Sequence, residues 1–130
     1  YWGAMALLMR GGEAVRAEKE LLVRALADPA PAVQIAAARA LGQYAGGDEW
    51  ERSLEVLAER ADASRNPYYV AIQALNALDA LDERARPVLA RIRQLPDTSQ
   101  DASRDPRTRD YTGRLLRKTL ADLDGGKSPL

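Results

Sequence analysis

The stretch from residue 28 to residue 46 constrains the fold most strongly, and it reads DPAPAVQIAAARALGQYAG. Pro31 suits the first turn of a helix, where its missing N–H has no intrahelical partner to lose. Apolar residues then recur with the 3.6-residue period of one helix face; they are Val33, Ala37, Ala40, Leu41 and Tyr44. Gly46 and Gly47 are residues that commonly end a helix. The segment therefore predicts a helix over residues 31–45, with alanines that allow another helix to approach closely on more than one side.

Weaker versions of this pattern recur upstream and downstream. Short breaks that contain Gly, Asp or Pro separate the apolar-periodic segments, which is typical of consecutive helices. Further helices are predicted over residues 1–9, 13–27, 68–81 and 111–123, and a shorter one between Pro87 and Pro96. Asp48, with Glu51 three residues later, predicts a capping box at the start of another helix, and Asn66 predicts an N-cap before Pro67.

The helices recur at a nearly constant spacing. The pairs Ala6-Leu7, Ala40-Leu41 and Ala77-Leu78 are separated by 34 and 37 residues. A period in this range, built from helix pairs, is typical of an α-solenoid, in which stacked neighbours bury the apolar face of each pair. The sequence therefore predicts an all-α fold: a short right-handed α-solenoid of about three antiparallel helix pairs, preceded by a half-repeat.

The expected organisation is one helical-repeat domain over residues 1–123. The stretch 97–110 is polar, charged and Pro-containing, which predicts a surface loop, and residues 124–130 are expected to form a flexible tail. Tyr1 begins inside an apolar helix without an initiator Met. We therefore interpret the chain as a fragment of a longer protein.

Composition excludes several kinds of chemistry. The chain has no Cys and no His, which removes thiol nucleophiles, imidazole bases and the usual zinc ligands. Its 19 basic and 19 acidic residues give a net charge of zero, whereas a nucleic-acid-binding domain normally carries a basic excess. No apolar run reaches the roughly 20 residues that span a membrane. We expect no catalytic residues, cofactor or metal in this fragment, and neither nucleic acid nor membrane as a partner.

Residues 28–42 resemble the second helix of a HEAT repeat. The resemblance covers nearly the whole chain as one half-repeat followed by three repeats. Many HEAT repeats carry an Arg just after the Val, and this Arg bonds to an Asp in the turn before the helix. Here Asp28 is present but Gln34 stands at the Arg position, so the resemblance implies the packing stripe and leaves the polar ladder between repeats open.

A second resemblance covers the segment before the HEAT-like helix, that helix itself and a segment after it. Residues 1–11, YWGAMALLMRG, and residues 69–79, YVAIQALNALD, look like the helical region that follows the catalytic domain in some bacterial sulfatases. This resemblance implies a non-catalytic C-terminal module of a periplasmic or extracellular hydrolase, which braces the enzyme, docks on it or mediates oligomerisation. The Cys/Ser-x-Pro-x-Arg signature of those enzymes is absent from this chain.

Two candidate interaction surfaces follow from these patterns. An apolar cluster would dock on the remainder of the parent chain or on a second copy; it consists of Tyr1, Trp2 and Met5. In the alternative function, a stand-alone HEAT scaffold binds a protein or peptide along its inner helices; the candidate contacts are Gln34, Arg39, Gln73 and Asn76. Asn76 lies in mid-helix, an unfavourable place for Asn, and is either a buried amide bonded to a loop carbonyl or a ligand contact.

A third class is enzymatic, because HEAT-like folds include DNA alkylpurine glycosylases and bilin lyases, but zero charge disfavours the former and the absence of Cys and His the latter.

Overall fold

The computed structural model of the chain describes residues 2–95 and 111–125, and within these two ranges it is helical with no β-strand. The elements are α1 (Trp2–Arg10), α2 (Gly12–Ala17), α3 (Lys19–Ala25), α4 (Pro31–Tyr44), α5 (Gly47–Arg60), α6 (Tyr68–Leu81), a 3₁₀ helix (Asp82–Val88), α7 (Leu89–Arg93) and α8 (Tyr111–Gly125). The predicted loop 97–110 lies outside the described residues, as do residues 126–130 of the predicted tail. The predicted domain limits therefore stay a prediction.

The helices stack in two layers. One layer contains α1, α4, α6 and α8, each of which packs against the next, and we call it the inner layer. The outer layer contains α2, α3, α5, the 3₁₀ helix and α7; α3 and α5 both pack against α4, and α5 also packs against α6. Short connections make consecutive helices antiparallel neighbours. The predicted short all-α solenoid, a half-repeat followed by three helix pairs, is confirmed.

Helix α4 forms the centre of the core because it packs against α1, α3, α5 and α6. Its alanines at positions 36, 37, 38 and 40 are all buried, as the sequence predicts. Within the predicted stripe Ala37, Ala40 and Leu41 are fully buried, whereas Val33 and Tyr44 are only half-buried. A helix with neighbours on several sides buries more than one stripe, so Ile35 is buried as well.

At Gly42 side chains of α5 and α6 lie close to the backbone of α4. A Cβ atom built at this position would lie 2.7 Å from Cδ1 of Leu81 and 3.3 Å from Oγ of Ser53. The Leu81 side chain belongs to α6 and is itself buried, so it has little room to move. The absence of a side chain at Gly42 therefore allows α4, α5 and α6 to meet at this point.

Several predicted helix boundaries are wrong. The helix predicted over 13–27 is interrupted at Glu18, which separates α2 from α3, although no residue near the break has a low helix propensity. Pro87 lies inside the 3₁₀ helix, and α7 begins only at Leu89. In contrast, α6 has the predicted limits, and α4 begins at Pro31 and ends one residue before the predicted limit.

The two predicted N-caps are wrong as well. Helix α5 begins at Gly47 with no side-chain cap, and Asp48 lies in its first turn instead. Negative charge in the first turn is favourable because it meets the positive end of the helix dipole. Asn66 does not cap α6; its amide nitrogen donates to the backbone carbonyls of Glu59 and Asp62, both at 2.9 Å. Asn66 therefore satisfies the end of α5, where helix carbonyls lack intrahelical donors.

Candidate functional site

A groove of about 160 Å³ lies in the inner layer, between α1, α4 and α6. It is lined by Met5, Ala32, Ile35, Ala36, Arg39, Gln73, Asn76 and Ala77. The lining positions of α4 and of α6 follow spacings of three or four residues, so each helix contributes one face. The groove thus brings Met5 of the predicted docking cluster together with three of the four predicted inner-face contacts.

The floor of the groove is apolar and its rim is polar. Ile35, Ala36 and Ala77 are buried, and the two alanines leave room above them because they have no atoms beyond Cβ. On the rim Arg39 is half-buried, and Gln73 and Asn76 are exposed. The interpretation of Asn76 as a buried amide is therefore wrong, and its amide faces the groove instead.

The charge in the groove is of one sign. Arg39 is the one charged residue of the lining, which contains no Asp or Glu. Among the residues that the structure describes, no hydrogen bond or ion pair of Arg39 is found. The groove therefore presents a guanidinium with five N–H donors and two side-chain amides, each of which both donates and accepts hydrogen bonds.

Gln34 does not line the groove. It is buried; its Nε2 donates to the backbone carbonyl of Asp28, and its Oε1 accepts a hydrogen bond from Nε of Arg60 at 2.8 Å. Nη1 of Arg60 donates to Oδ1 of Asn66 at 3.1 Å. Gln34, Arg60 and Asn66 thus link the start of α4, the end of α5 and the turn before α6. A polar ladder between repeats therefore exists, with Gln34 at the usual Arg position and the Arg on α5 instead.

A second arginine connects the repeats at the other end of α4. Nε of Arg84, in the 3₁₀ helix, donates to the carbonyl of Gly42 at 2.6 Å, and its Nη2 donates to the carbonyl of Ala45. The guanidinium also lies over the Trp50 ring, 5.6 Å from its centroid. A cation at this place satisfies carbonyls at the end of α4 and meets the negative end of its dipole. Sequence reasoning missed Arg60 and Arg84 because their partners lie on other elements.

Comparison with known proteins agrees with this geometry. The family of HEAT repeats matches residues 4–77, which is more than half of the chain. The chain belongs to the HEAT repeat family. The match runs from α1 to α6 and so includes the whole groove. A search of curated proteins and a search of solved structures each found no match. HEAT repeats are typically non-catalytic and often mediate protein interactions.

The predicted apolar docking cluster lies only partly within the described residues. Tyr1 lies outside the described residues, and Trp2 is described only as the first residue of α1. Met5 lines the groove, and Met9, one helical turn further, is 84% exposed. Tyr69 lies on α6, four residues before Gln73, and is 58% exposed. Its ring packs edge-on against the ring of Tyr68, with the ring centroids 6.1 Å apart. The exposed side chains of Met9 on α1 and Tyr69 on α6 therefore lie on the two helices that flank α4 at the groove.

Helices α6 and α8 are joined by a charged cluster of Asp79, Lys118 and Asp122. Nζ of Lys118 lies 3.2 Å from Oδ2 of Asp79 and 2.8 Å from Oδ2 of Asp122. Burial raises the pKa of the Asp79 carboxyl, and the hydrogen bond and negative charge of Asp122 raise it further, against the opposing effect of Lys118. The pKa of Lys118 is raised by its hydrogen bonds to Asp122 and Asp79. Lys118 thus links α8 to α6 through its ion pair with Asp79.

Within residues 2–95 and 111–125, no group of three or more His, Cys, Asp or Glu residues has a geometry that could hold a metal ion. Over the same ranges no helix is both long enough and apolar enough to cross a membrane.

Proposed function

We propose that this HEAT-repeat chain is a non-catalytic interaction module that binds a segment of a partner protein in the groove between α1, α4 and α6. The observation that carries this proposal is the groove itself: a buried apolar floor with an exposed polar rim, on the layer formed by the second helices of the pairs. The residues we assign to the site are Met5, Arg39, Gln73 and Asn76. Gln34 is left out because its hydrogen bonds hold the repeats together.

The groove matches a peptide segment better than a small molecule. Pockets for drug-sized ligands usually enclose about 300–1,000 Å³, whereas this groove encloses about 160 Å³. That volume suits a small apolar side chain above Ala36 and Ala77. The amides of Gln73 and Asn76 could then pair with backbone N–H and C=O groups of the same segment.

A selection from a displayed library of random dodecapeptides tests this proposal. Asn76→Trp would fill the groove from an exposed position, so the fold should survive, as circular dichroism and the thermal midpoint would verify. Arg52→Met is the control, because Arg52 is exposed on the outer layer. We expect peptides that bind the wild type and the control and lose binding to Asn76→Trp. If no selected peptide distinguishes Asn76→Trp from the wild type, the proposal is wrong.

Docking on the remainder of a parent chain or on a second copy is the second proposed role. The exposed Met9, together with the half-buried Met5 on the same face of α1, supports it. The substitution Met9→Glu should abolish any concentration-dependent self-association of the chain in sedimentation experiments without lowering its thermal midpoint. Self-association that is unchanged in Met9→Glu would contradict this role for α1.

The proposal that the parent is a sulfatase-like hydrolase rests on the resemblance of residues 1–11, the HEAT-like helix and residues 69–79. Its test is the coding sequence upstream of Tyr1. A Cys/Ser-x-Pro-x-Arg signature in the same reading frame would support a sulfatase tail, with a periplasmic or extracellular location. A start codon close to Tyr1, or further HEAT repeats upstream, would contradict it and favour the stand-alone scaffold.

A further inference from the structure

The charge of the groove narrows the class of partner. We propose that the groove recognises a carboxylate: an Asp or Glu side chain of the bound segment pairs with Arg39 while a neighbouring small apolar side chain fills the floor. This inference rests on the proposed function, since it names the chemistry of the segment that the groove binds.

The positive charge of Arg39 in this groove is not neutralised locally. Arg39 stands among eight lining residues with no acid, and the described residues offer it no hydrogen-bond or ion-pair partner. Two depressions on the outer layer differ, because both mix acidic and basic side chains. One contains Arg52 with Glu55 and Glu59, and the other contains Lys19 and Arg24 with Glu20 and Glu49.

The position of the Arg39 guanidinium also favours an acidic group. Arg39 lies one helical turn after Ile35 and Ala36 on α4, so its side chain borders the apolar floor. An ion pair that is partly shielded from water by such a floor is stronger than a fully exposed pair. The planar fork of Arg also matches a carboxylate through two parallel hydrogen bonds. A carboxylate, the acidic group of Asp and Glu side chains, can thus satisfy the guanidinium of Arg39 through two hydrogen bonds.

The opposite rim of the groove carries two uncharged amide side chains. Gln73 and Asn76 are three residues apart on α6, so both amides project over the same groove. Neither amide carries a charge, so each attracts a carboxylate less strongly than Arg39 does. They are suited instead to the backbone on either side of the acidic residue, since each amide offers one acceptor and two donor hydrogens.

Two matched pools of peptides test the inference. The peptides are nine residues long, acetylated and amidated at their ends, with Ala, Val, Leu, Ser or Gly around a fixed central residue. That residue is Glu in one pool and Gln in the other, so the pools differ only in the carboxylate. The retention of each pool on the immobilised 130-residue chain is measured by mass spectrometry, for the wild type, Arg39→Met, Arg39→Lys, Asn76→Trp and Arg52→Met.

We expect the wild type and Arg52→Met to retain the Glu pool about 10- to 100-fold more strongly than the Gln pool, the range for a hydrogen-bonded charge pair. In Arg39→Met this ratio should fall to about one, and in Arg39→Lys it should be intermediate. Equal retention of the two pools by the wild type would overturn the inference. So would a preference for Glu that survives Arg39→Met.

Failure of the inference is distinguishable from failure of the proposed function. If both pools bind equally and both are lost in Asn76→Trp, the groove binds peptides but not a carboxylate, and only the inference is overturned. If neither pool is retained, or if retention does not respond to Asn76→Trp, both are overturned. Self-association of the wild type that is lost in Asn76→Trp would assign the groove to a second copy and would overturn the inference as well.

Discussion

The contact of Arg84 with the end of α4 gives the sharpest test of how this solenoid is held together. Arg84→Met keeps the length of the side chain and its apolar stem but removes the guanidinium. The loss includes the two hydrogen bonds to the carbonyls of Gly42 and Ala45 and the contact with the Trp50 ring. All three partners lie in other elements, so the substitution should loosen the packing of the third repeat on the first two.

The size of the effect can be worked from these contacts. Hydrogen bonds that involve a charged group each contribute about 1.5–3 kcal/mol, and a partly exposed cation–π contact contributes about 0.5–1 kcal/mol. Arg84 is half-buried, and water can replace part of what is lost at the carbonyls. We therefore expect Arg84→Met to lower the free energy of unfolding by about 2 kcal/mol, which corresponds to a fall of about 5–10 °C in the thermal midpoint for a chain of this size.

Urea denaturation followed by circular dichroism measures this change directly. Arg86→Met is the matched control on the same 3₁₀ helix, because the ion pair of Arg86 with Glu83 is 3.8 Å long and both side chains are exposed. The control should change the free energy of unfolding by less than about 0.5 kcal/mol.

The charge-preserving variant Arg84→Lys separates the fork from the charge. A single ammonium cannot reach both carbonyls with the geometry of the guanidinium, so Lys should recover less than half of the lost stability. The reasoning is refuted if Arg84→Met lies within about 0.5 kcal/mol of the wild type. Full recovery by Lys would refute the role of the fork and leave only the charge.

Three further predictions concern stability. Arg60→Met should lower the free energy of unfolding by about 1–2 kcal/mol in urea, since it leaves the buried Gln34 without one partner; the exposed Arg65→Met is its control, and an equal effect of the two would contradict the ladder. Gly42→Ala should be destabilising by about 1 kcal/mol, although Ala favours helices by about as much, because overpacking against Leu81 costs about 1–3 kcal/mol; the effect should vanish in a Leu81→Val background, and persistence there would exclude this contact. The pKa of Asp79 is raised in the folded chain, so the folded chain binds a proton more readily than the unfolded chain. The contribution of this group to stability therefore rises as the pH falls through its folded pKa and is lost as the pH rises through it. The urea midpoint of the wild type, compared with that of Asp79→Asn, should be higher at pH 4 than at pH 7, and an equal difference at the two pH values would contradict this.

Local sequence signals predict much of the fold. The limits of α6 and the start of α4 follow from apolar periodicity and from Pro67 and Pro31, signals that act within a few residues. The break at Glu18 could not be predicted, because no residue near it opposes a helix.

The candidate site was only partly predictable. Arg39, Gln73 and Asn76 were expected on the inner helices, and the groove brings them together. Gln34 was grouped with them although it lies five residues before Arg39. At 100° per residue this places the two side chains about 140° apart around the helix. The spacing alone therefore contained the signal that Gln34 belongs to a different face.

The sequence by itself determined that this chain is a stack of short antiparallel helices, because helix periodicity and Pro and Gly breaks are local properties and because their repetition every 34 to 37 residues requires stacking to bury each apolar face. Only the tertiary structure decided which polar groups meet. Arg60 reaches a residue 26 positions earlier, Arg84 reaches a carbonyl 42 positions earlier, and the groove joins side chains of three helices. Such meetings depend on how far each helix is rotated and translated against its neighbours, and this is set by close contacts such as that of Gly42 with Leu81 rather than by any pattern along the chain.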